Sequence, residues 1–308
     1  MIYIVTLNPS IDYLMSPNTL SLGITNRSEE EQIRIGGKGI NVGVVLNNLG
    51  QSSTCVGFLG GFTGNHIREE LKKYPLLVDG FRDSKHPTRI NIKLDYKGET
   101  EINGSGHPID ASLIESLSTF ITTLKPEDFV VLTGSVASGM SYDWYVSVCE
   151  ALDKQNIPFA VDVSSDKLID MISYHPLLIK PNQDEICAIL GLQNENLSFE
   201  RLLSESKKLI ERGARNIIVS LGSQGSMLIT DEACYRAYAP EGVLIDSVGA
   251  GDSMVAAFIY GYVNDYSLLE TYRLACAAGS ATAFSDHLAS FETIEKLKDK
   301  IIIERIDL

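Results

Sequence analysis

Positive charge is scarce in this chain: 26 Lys+Arg stand against 40 Asp+Glu in 308 residues, a formal net charge of −14. The balance argues against nucleic acid as a partner, because neutralising backbone phosphates needs a surplus of Lys and Arg. The same deficit argues against docking on anionic lipid. Cysteine is sparse and unpaired: Cys55, Cys149, Cys187, Cys234 and Cys276 are an odd number and never spaced as Cys-x-x-Cys. That pattern reads as buried free thiols in a reducing compartment. Long apolar runs are missing too, since the longest, Val255 to Val263, is only about half a membrane span. The first residues, Met1-Ile-Tyr-Ile-Val-Thr-Leu7, enter a strand-like run with no basic flank. The expectation is a soluble, cytoplasmic protein with no membrane association. There is no His-Glu-x-x-His and no Gly-x-Ser-x-Gly, and the five His lie far apart. Metal-hydrolase and serine-esterase chemistries therefore have no motif behind them.

With 44% hydrophobic and 21% charged residues, disordered and fibrous classes are excluded, and the length suits one large domain. Short β-branched runs at Tyr3–Leu7, Thr54–Leu59, Phe129–Thr133, Phe159–Val163, Leu177–Ile179 and Ile217–Leu221 alternate with helical patterns. The helical patterns fall near Asn41–Leu49, His66–Lys73, Asp110–Leu124, Asp143–Lys154, Asp184–Leu190 and Phe199–Arg212. Such alternation predicts an α/β fold with a mostly parallel sheet covered on both faces, and ligands outside the carboxyl ends of its strands. Residues 10–35 and 87–105 break the rhythm by alternating polar and apolar residues, which predicts a small sheet projecting from the body.

Small-residue segments carry the chemistry. Asp246-Ser-Val-Gly-Ala-Gly-Asp252-Ser253 precedes an apolar helical run. Its small residues let backbone approach a ligand, and free N–H groups at a helix start attract negative charge. Asp252 at that mouth suits a base taking a proton from a hydroxyl beside an incoming phosphoryl group. A helix cap explains the same Asp. Gly36-Gly37-Lys38-Gly39-Ile40-Asn41-Val42 opens another helix but is neither a Walker A loop nor Gly-x-Gly-x-x-Gly. What remains is close backbone, a Lys cation and an Asn side chain, or simply a turn. Lys180-Pro-Asn182-Gln-Asp-Glu185 sets Asn182 and Glu185 one helical turn apart, suited either to a hydrated Mg²⁺ or to a capping box. Ser220-Leu-Gly222-Ser-Gln-Gly225 lines a nucleotide or forms a hairpin turn, and Asp12 grips sugar hydroxyls or closes a turn.

Taken together, these segments resemble the ribokinase-like superfamily and, within it, the PfkB sugar-phosphate kinases. Both signatures occur in the family's order, and Thr6-Leu-Asn-Pro9, Asp12 and Thr88-Arg-Ile-Asn-Ile-Lys-Leu94 extend the likeness over the whole chain. The resemblance implies one ribokinase-like domain over residues 1–308, with residues 10–35 and 87–105 as a lid that also builds a homodimer. It implies transfer from ATP with Mg²⁺ to a ketohexose monophosphate, fructose 1-phosphate first and tagatose 6-phosphate as the alternative. A non-catalytic sugar-phosphate sensor is the rival from another class. By the same resemblance Asp252 is the general base, and Gly249, Ala250 and Gly251 form the anion hole. Asp12, Gly37 and Asn41 hold sugar hydroxyls, while Arg27, Lys38, Arg89 and Ser135 surround the substrate's phosphate. Lys180, Ser220, Gly222 and Gly225 serve the nucleotide side and Asn182 and Glu185 the Mg²⁺-water network, while activation by K⁺ near residues 277–286 is left open. Two departures concern substrate loops: Gly134-Ser135-Val-Ala-Ser138-Gly139 lacks the family's proline, and Ser165 stands where a glycine is usual.

Overall fold

β-branched and aromatic runs that bury both faces form the strands of the body, and the computed structural model describes residues 1–192 and 197–306. In chain order the strands are β1 (Ile2–Thr6), β2 (Ser10–Pro17), β3 (Ser28–Gly36), β4 (Ser53–Gly60), β5 (Leu77–Asp79), β6 (Arg82–Ser84), β7 (Arg89–Asp95) and β8 (Glu99–Asn103). There follow β9 (Phe129–Thr133), β10 (Phe159–Asp162), β11 (Leu178–Ile179), β12 (Ile217–Ser220), β13 (Ser226–Ile229), β14 (Cys234–Ala237) and β15 (Ile303–Ile306). The helices are α1 (Lys38–Asn48), α2 (Gly61–Leu71), α3 (Ala111–Ile121), α4 (Asp143–Lys154), α5 (Leu168–Ile172) and α6 (Gln183–Leu190), then α7 (Phe199–Glu211), α8 (Ala250–Val263), α9 (Leu268–Ala283) and α10 (Phe291–Lys298).

The main sheet runs β15-β14-β13-β12-β11-β10-β9-β1-β4-β5, with β6 also on β4. Strands from β12 through β4 pair in parallel, and β13, β14 and β15 extend the edge antiparallel. Two apolar clusters, one on each face, bury the sheet: one holds α1, α8 and α9 residues such as Ile40, Phe258 and Tyr272, the other Leu117, Tyr145 and Leu209 from α3, α4 and α7. This is the ribokinase-like α/β arrangement expected. All five cysteines are buried, and none is in a disulfide among the described residues. Among the described residues no helix is long and apolar enough to cross a membrane.

The two stretches that break the α/β rhythm supply a separate sheet in the order β3-β2-β7-β8. Its centre is the parallel pair β2 and β7, in which Ser10 faces Arg89 and Asp12 faces Asn91. Alternation puts Asp12, Arg34, Asn91 and Lys93 on one face and Ile33, Ile90 and Ile102 on the other.

Candidate active site

The strand order reverses between β1 and β9: from β1 the chain builds toward β4 and β5, from β9 toward β10, β11 and β12. Loops leaving two such strands diverge and open a crevice at their carboxyl ends. Across it Asn8 donates from Nδ2 to Ser135 Oγ at 3.1 Å, and Arg89 donates from Nε to the Asn8 carbonyl at 3.1 Å. Helices α1 and α8 start at the same crevice.

Gly249 caps α8 in a left-handed conformation (φ 78°), with no side-chain cap. Asp252 is therefore the third helical residue and not the cap. It is 6% exposed, and Asn41 of α1 donates from Nδ2 to its Oδ2 at 2.8 Å. Beside it lies a buried charge cluster. The Asp162 carboxylate, 3% exposed at the end of β10, sits 3.2 Å from Lys38 Nζ and 3.7 Å from Lys180 Nζ. Lys180 reaches this place because position 251 is glycine: a Cβ there would lie 2.9 Å from the Lys180 ammonium.

The electrostatics follow from burial. Burial pushes the Asp252 pKa up, neighbouring Asp162 adds to it, and Lys38, Asn41 and Lys180 offset only part, leaving it at about 6. For Asp162 burial acts the same way, but Lys180 and Lys38 outweigh it and hold the carboxyl below its ordinary range. Burial opposes the Lys38 charge, yet Asp162, Asp252 and Glu185 prevail and raise its pKa. One buried carboxylate is thus locked in its charged form while the other is held near the pH of the cell. Two carboxyl groups pushed apart in this way suit an acid–base role for the one that is raised.

On the small sheet, Asp12 Oδ1 accepts from Ser10 Oγ at 2.8 Å and from Asn91 Nδ2 at 2.9 Å, while Lys93 Nζ lies 3.8 Å from Oδ2. Lys93 also pairs with Glu101 at 3.0 Å. Arg89 Nη1 donates to Asn91 Oδ1 at 3.3 Å and to the Gly104 carbonyl at 3.2 Å. Gly37 adjoins this sheet as the cap of α1, its backbone against Pro9. A cavity of about 840 Å³ separates the sheet from the body, with Asp12, Asn41 and Lys93 in its wall. Arg34 spans it to Asp246 at 3.0 Å.

The remaining expected residues divide. Ser220 ends β12 and bridges to Asn182, and Gly222 and Gly225 shape the turn into antiparallel β13. The hairpin reading and a loop open to a ligand are both compatible with that turn. Asn182 and Glu185 form a full capping box on α6, and Ser164 donates to the other Glu185 oxygen. The cap reading of this pair therefore stands. Among the described residues no group of three or more His, Cys, Asp or Glu is arranged to hold a metal. The available donors, Asn182, Glu185 and Asp162, are hard oxygens, which fit a magnesium ion that keeps its waters and rides on phosphates. Arg27 is not brought to the cluster. It is exposed in the β2–β3 turn beside Ser28, which pairs with Pro17, whereas the crevice end of the same ladder is Ser10 with Gly36. Seven residues of strand separate the two ends, roughly 23 Å.

Asp162 joins the site although no motif marked it, and Asn8 and Asn91 join it from the Thr6–Pro9 and Thr88–Leu94 segments, in which neither had been given a role. The one signal available for Asp162 was a carboxylate closing an apolar strand, Phe159-Ala-Val-Asp162, where a buried charge demands a partner.

Comparison with known proteins gives a consistent picture. Residues 5–293 match the pfkB family carbohydrate kinase. The chain is 40% identical over 306 residues to a 1-phosphofructokinase of Bacillus subtilis, covering 99% of this chain and 100% of that one. It is 33% identical over 306 residues to a D-tagatose-1-phosphate kinase of Bacillus licheniformis, covering 99% of this chain and 100% of the other. Among solved structures, phosphofructokinase-2 from Escherichia coli in complex with fructose-6-phosphate superposes with a TM-score of 0.89 at 27% identity, covering 97% of this chain and 98% of that chain.

Proposed function

We propose, on the premise that the chain belongs to the pfkB family of carbohydrate kinases, that it moves the γ-phosphoryl group of ATP onto the free primary hydroxyl of a ketohexose 1-phosphate, fructose 1-phosphate first. That it is a sugar-phosphate kinase follows from the family and from relatives over the whole length. The choice of sugar rests on 40% identity to a 1-phosphofructokinase against 33% to a D-tagatose-1-phosphate kinase. Both sugars carry phosphate on O1 and a free O6, and they differ in the configuration of one ring hydroxyl.

The observation that carries the mechanism is Asp252, buried in the first turn of α8 and fixed by Asn41 at 2.8 Å. Its held oxygen is Oδ2, which leaves Oδ1 to accept the proton of the acceptor hydroxyl as the new P–O bond forms. The backbone at Gly249, Ala250 and Gly251 offers N–H donors to charge on the transferred group, that of Ala250 once it leaves the Ser247 carbonyl it meets at 3.2 Å, with Lys38 and Lys180 as cations. Asp12 and Asn41 take sugar hydroxyls, Gly37 lets the chain approach, and Arg89 with Ser135 takes the 1-phosphate. The turn at Ser220, Gly222 and Gly225 borders the nucleotide. Glu185 and Asn182 would hold a magnesium ion through its waters, and the ion would neutralise phosphate oxygens. The small sheet closes over the sugar and excludes water. Its outer face, with Ile33, Ile90 and Ile102 at 56%, 41% and 57% exposure, receives the same face of a second copy.

The test is coupled ADP release with Mg-ATP against fructose 1-phosphate, tagatose 1-phosphate, tagatose 6-phosphate, fructose 6-phosphate and unphosphorylated fructose. Highest kcat/KM on fructose 1-phosphate is expected. A preference for either 6-phosphate would reverse which hydroxyl is attacked, and silence on all of them would defeat the proposal.

A further inference from the structure

Asp12 and Arg89 project from neighbouring strands on the same face of the small sheet, where Ser10 faces Arg89 and Asp12 faces Asn91. Their charges are opposite: burial lowers the Arg89 pKa, and Asp12 is close enough to offset part of that. A direct ion pair would consume both groups. Instead the Asn91 side chain, 6% exposed, stands between them. Its orientation is forced by chemistry: a carboxylate only accepts and a guanidinium only donates. The amide nitrogen therefore faces Asp12 Oδ1 (2.9 Å) and Ser10 Oγ (3.0 Å), and the amide oxygen faces Arg89 Nη1 (3.3 Å). Few side chains can serve an anion and a cation at once without adding charge. An Asp in its place would repel Asp12, and an apolar residue would take one hydrogen bond from each of Asp12, Ser10 and Arg89.

We propose that Asn91 is a positioning residue for substrate recognition: it holds Asp12 and Arg89 apart and aimed, so that one can take a sugar hydroxyl and the other the sugar's phosphate. The inference rests on the roles given above to those two residues. With Oδ1 of Asp12 occupied by Ser10 and Asn91, a ligand hydroxyl would meet Oδ2, which lies 3.8 Å from Lys93 Nζ. With Nε and Nη1 of Arg89 spent on Asn8, Asn91 and Gly104, its Nη2 edge is left for an anion.

The experiment measures steady-state constants and thermal midpoints for Asn91→Ala, Asn91→Asp, Arg89→Ala and the double variant Asn91→Ala/Arg89→Ala. Loss of hydrogen bonds to charged groups should raise KM for the sugar phosphate ~10-fold in both Asn91 variants, with kcat and the KM for ATP nearly unchanged. Asn91→Asp keeps the volume and the acceptor, so it reports even where the alanine variant folds poorly. In the Arg89→Ala background the Asn91→Ala effect should shrink to about 2-fold, because one of the two groups it aims is gone. An equal Asn91 effect with and without Arg89, or a lowered melting point with unaltered sugar KM in both Asn91 variants, overturns the inference and leaves the site reading intact. Unchanged KM in Arg89→Ala overturns that reading, and the inference with it.

Discussion

Asp252 pays for its position in stability. Its pKa rises from 3.8 to about 6 on folding, so the folded protein gains from the protonated form below pH 4 and loses that gain as pH climbs through 6. Near neutrality the ionised, buried carboxylate destabilises the fold by on the order of 1–3 kcal/mol. Asp252→Asn should therefore melt at a higher temperature than the parent while kcat falls roughly 10²–10⁴-fold, the usual loss for a general base. Calorimetry and turnover on the same sample check both, and near-normal turnover would remove Asp252 from the base role. Asp162 predicts a movement along the pH axis. Free-enzyme kcat/KM should decline on the acid side near the Asp252 pKa. Asp162→Asn both removes a repelling charge and releases Lys38 and Lys180 to attract Asp252, so the acid limb should move to lower pH. A limb that stays in place would contradict the coupling between the two carboxyls.

At the scale of elements, the mouth of α8 depends on Gly249. A Cβ there would lie 2.5 Å from Leu288 Cδ2, and the φ of 78° is one that side-chain-bearing residues rarely adopt. Gly249→Ala should cost about 1–2 kcal/mol of strain and displace the helix start, lowering kcat more than it raises either KM; kinetics with both substrates test this split. What was legible in the sequence follows the same physics. Helices with one buried stripe, such as α4 over Asp143–Lys154, have the predicted ends, because periodicity reports burial directly. Helix α9 escaped because Leu274 to Ala278 and Ala281 are buried around its circumference, which erases the stripe. Helix α2 starts at Gly61, ahead of the expected His66, since Gly-Phe-Thr-Gly carries little helical signal and is recruited by packing of Gly64 on Leu59 and Thr88. Turn segments announced Gly249–Asp252 and Lys38–Asn41. No role was legible for Asp162 or Asn91, because their meaning lies in partners 124 and 79 residues away, Lys38 and Asp12.

Over the whole molecule, a net charge of −14 means that two anionic ligands are drawn in by a few local groups and not by the protein's overall field. On the proposed reading Arg89, Lys38, Lys180 and the α8 mouth are the positions whose loss the remaining surface would not offset. The apolar face of the small sheet makes a separate prediction about assembly. If the proposed dimer forms on this face, Ile33→Asp combined with Ile102→Asp should convert it to a monomer in sedimentation while leaving the melting point of the body close to that of the parent; a parent that sediments as a monomer, or a dimer that persists in the variant, would overturn that interface.

The small sheet also has a place in time. It is stitched from two excursions of the chain whose central strands, β2 and β7, meet through side chains as far as 81 residues apart, as Asn91 with Ser10. Closing so long a loop costs entropy before any pairing repays it, so the half of the crevice that carries Asp12 and Arg89 is the late half to assemble. A nascent chain cannot complete it until β8 has left the ribosome, and Ile11 and Tyr13 of β2 lack their β7 partners Ile90 and Ile92 until β7 emerges. Pulse-labelled hydrogen exchange during refolding should find β1 and β4 amides protected before those of β2 and β7. Simultaneous protection would mean that the two excursions are already held together in the unfolded chain.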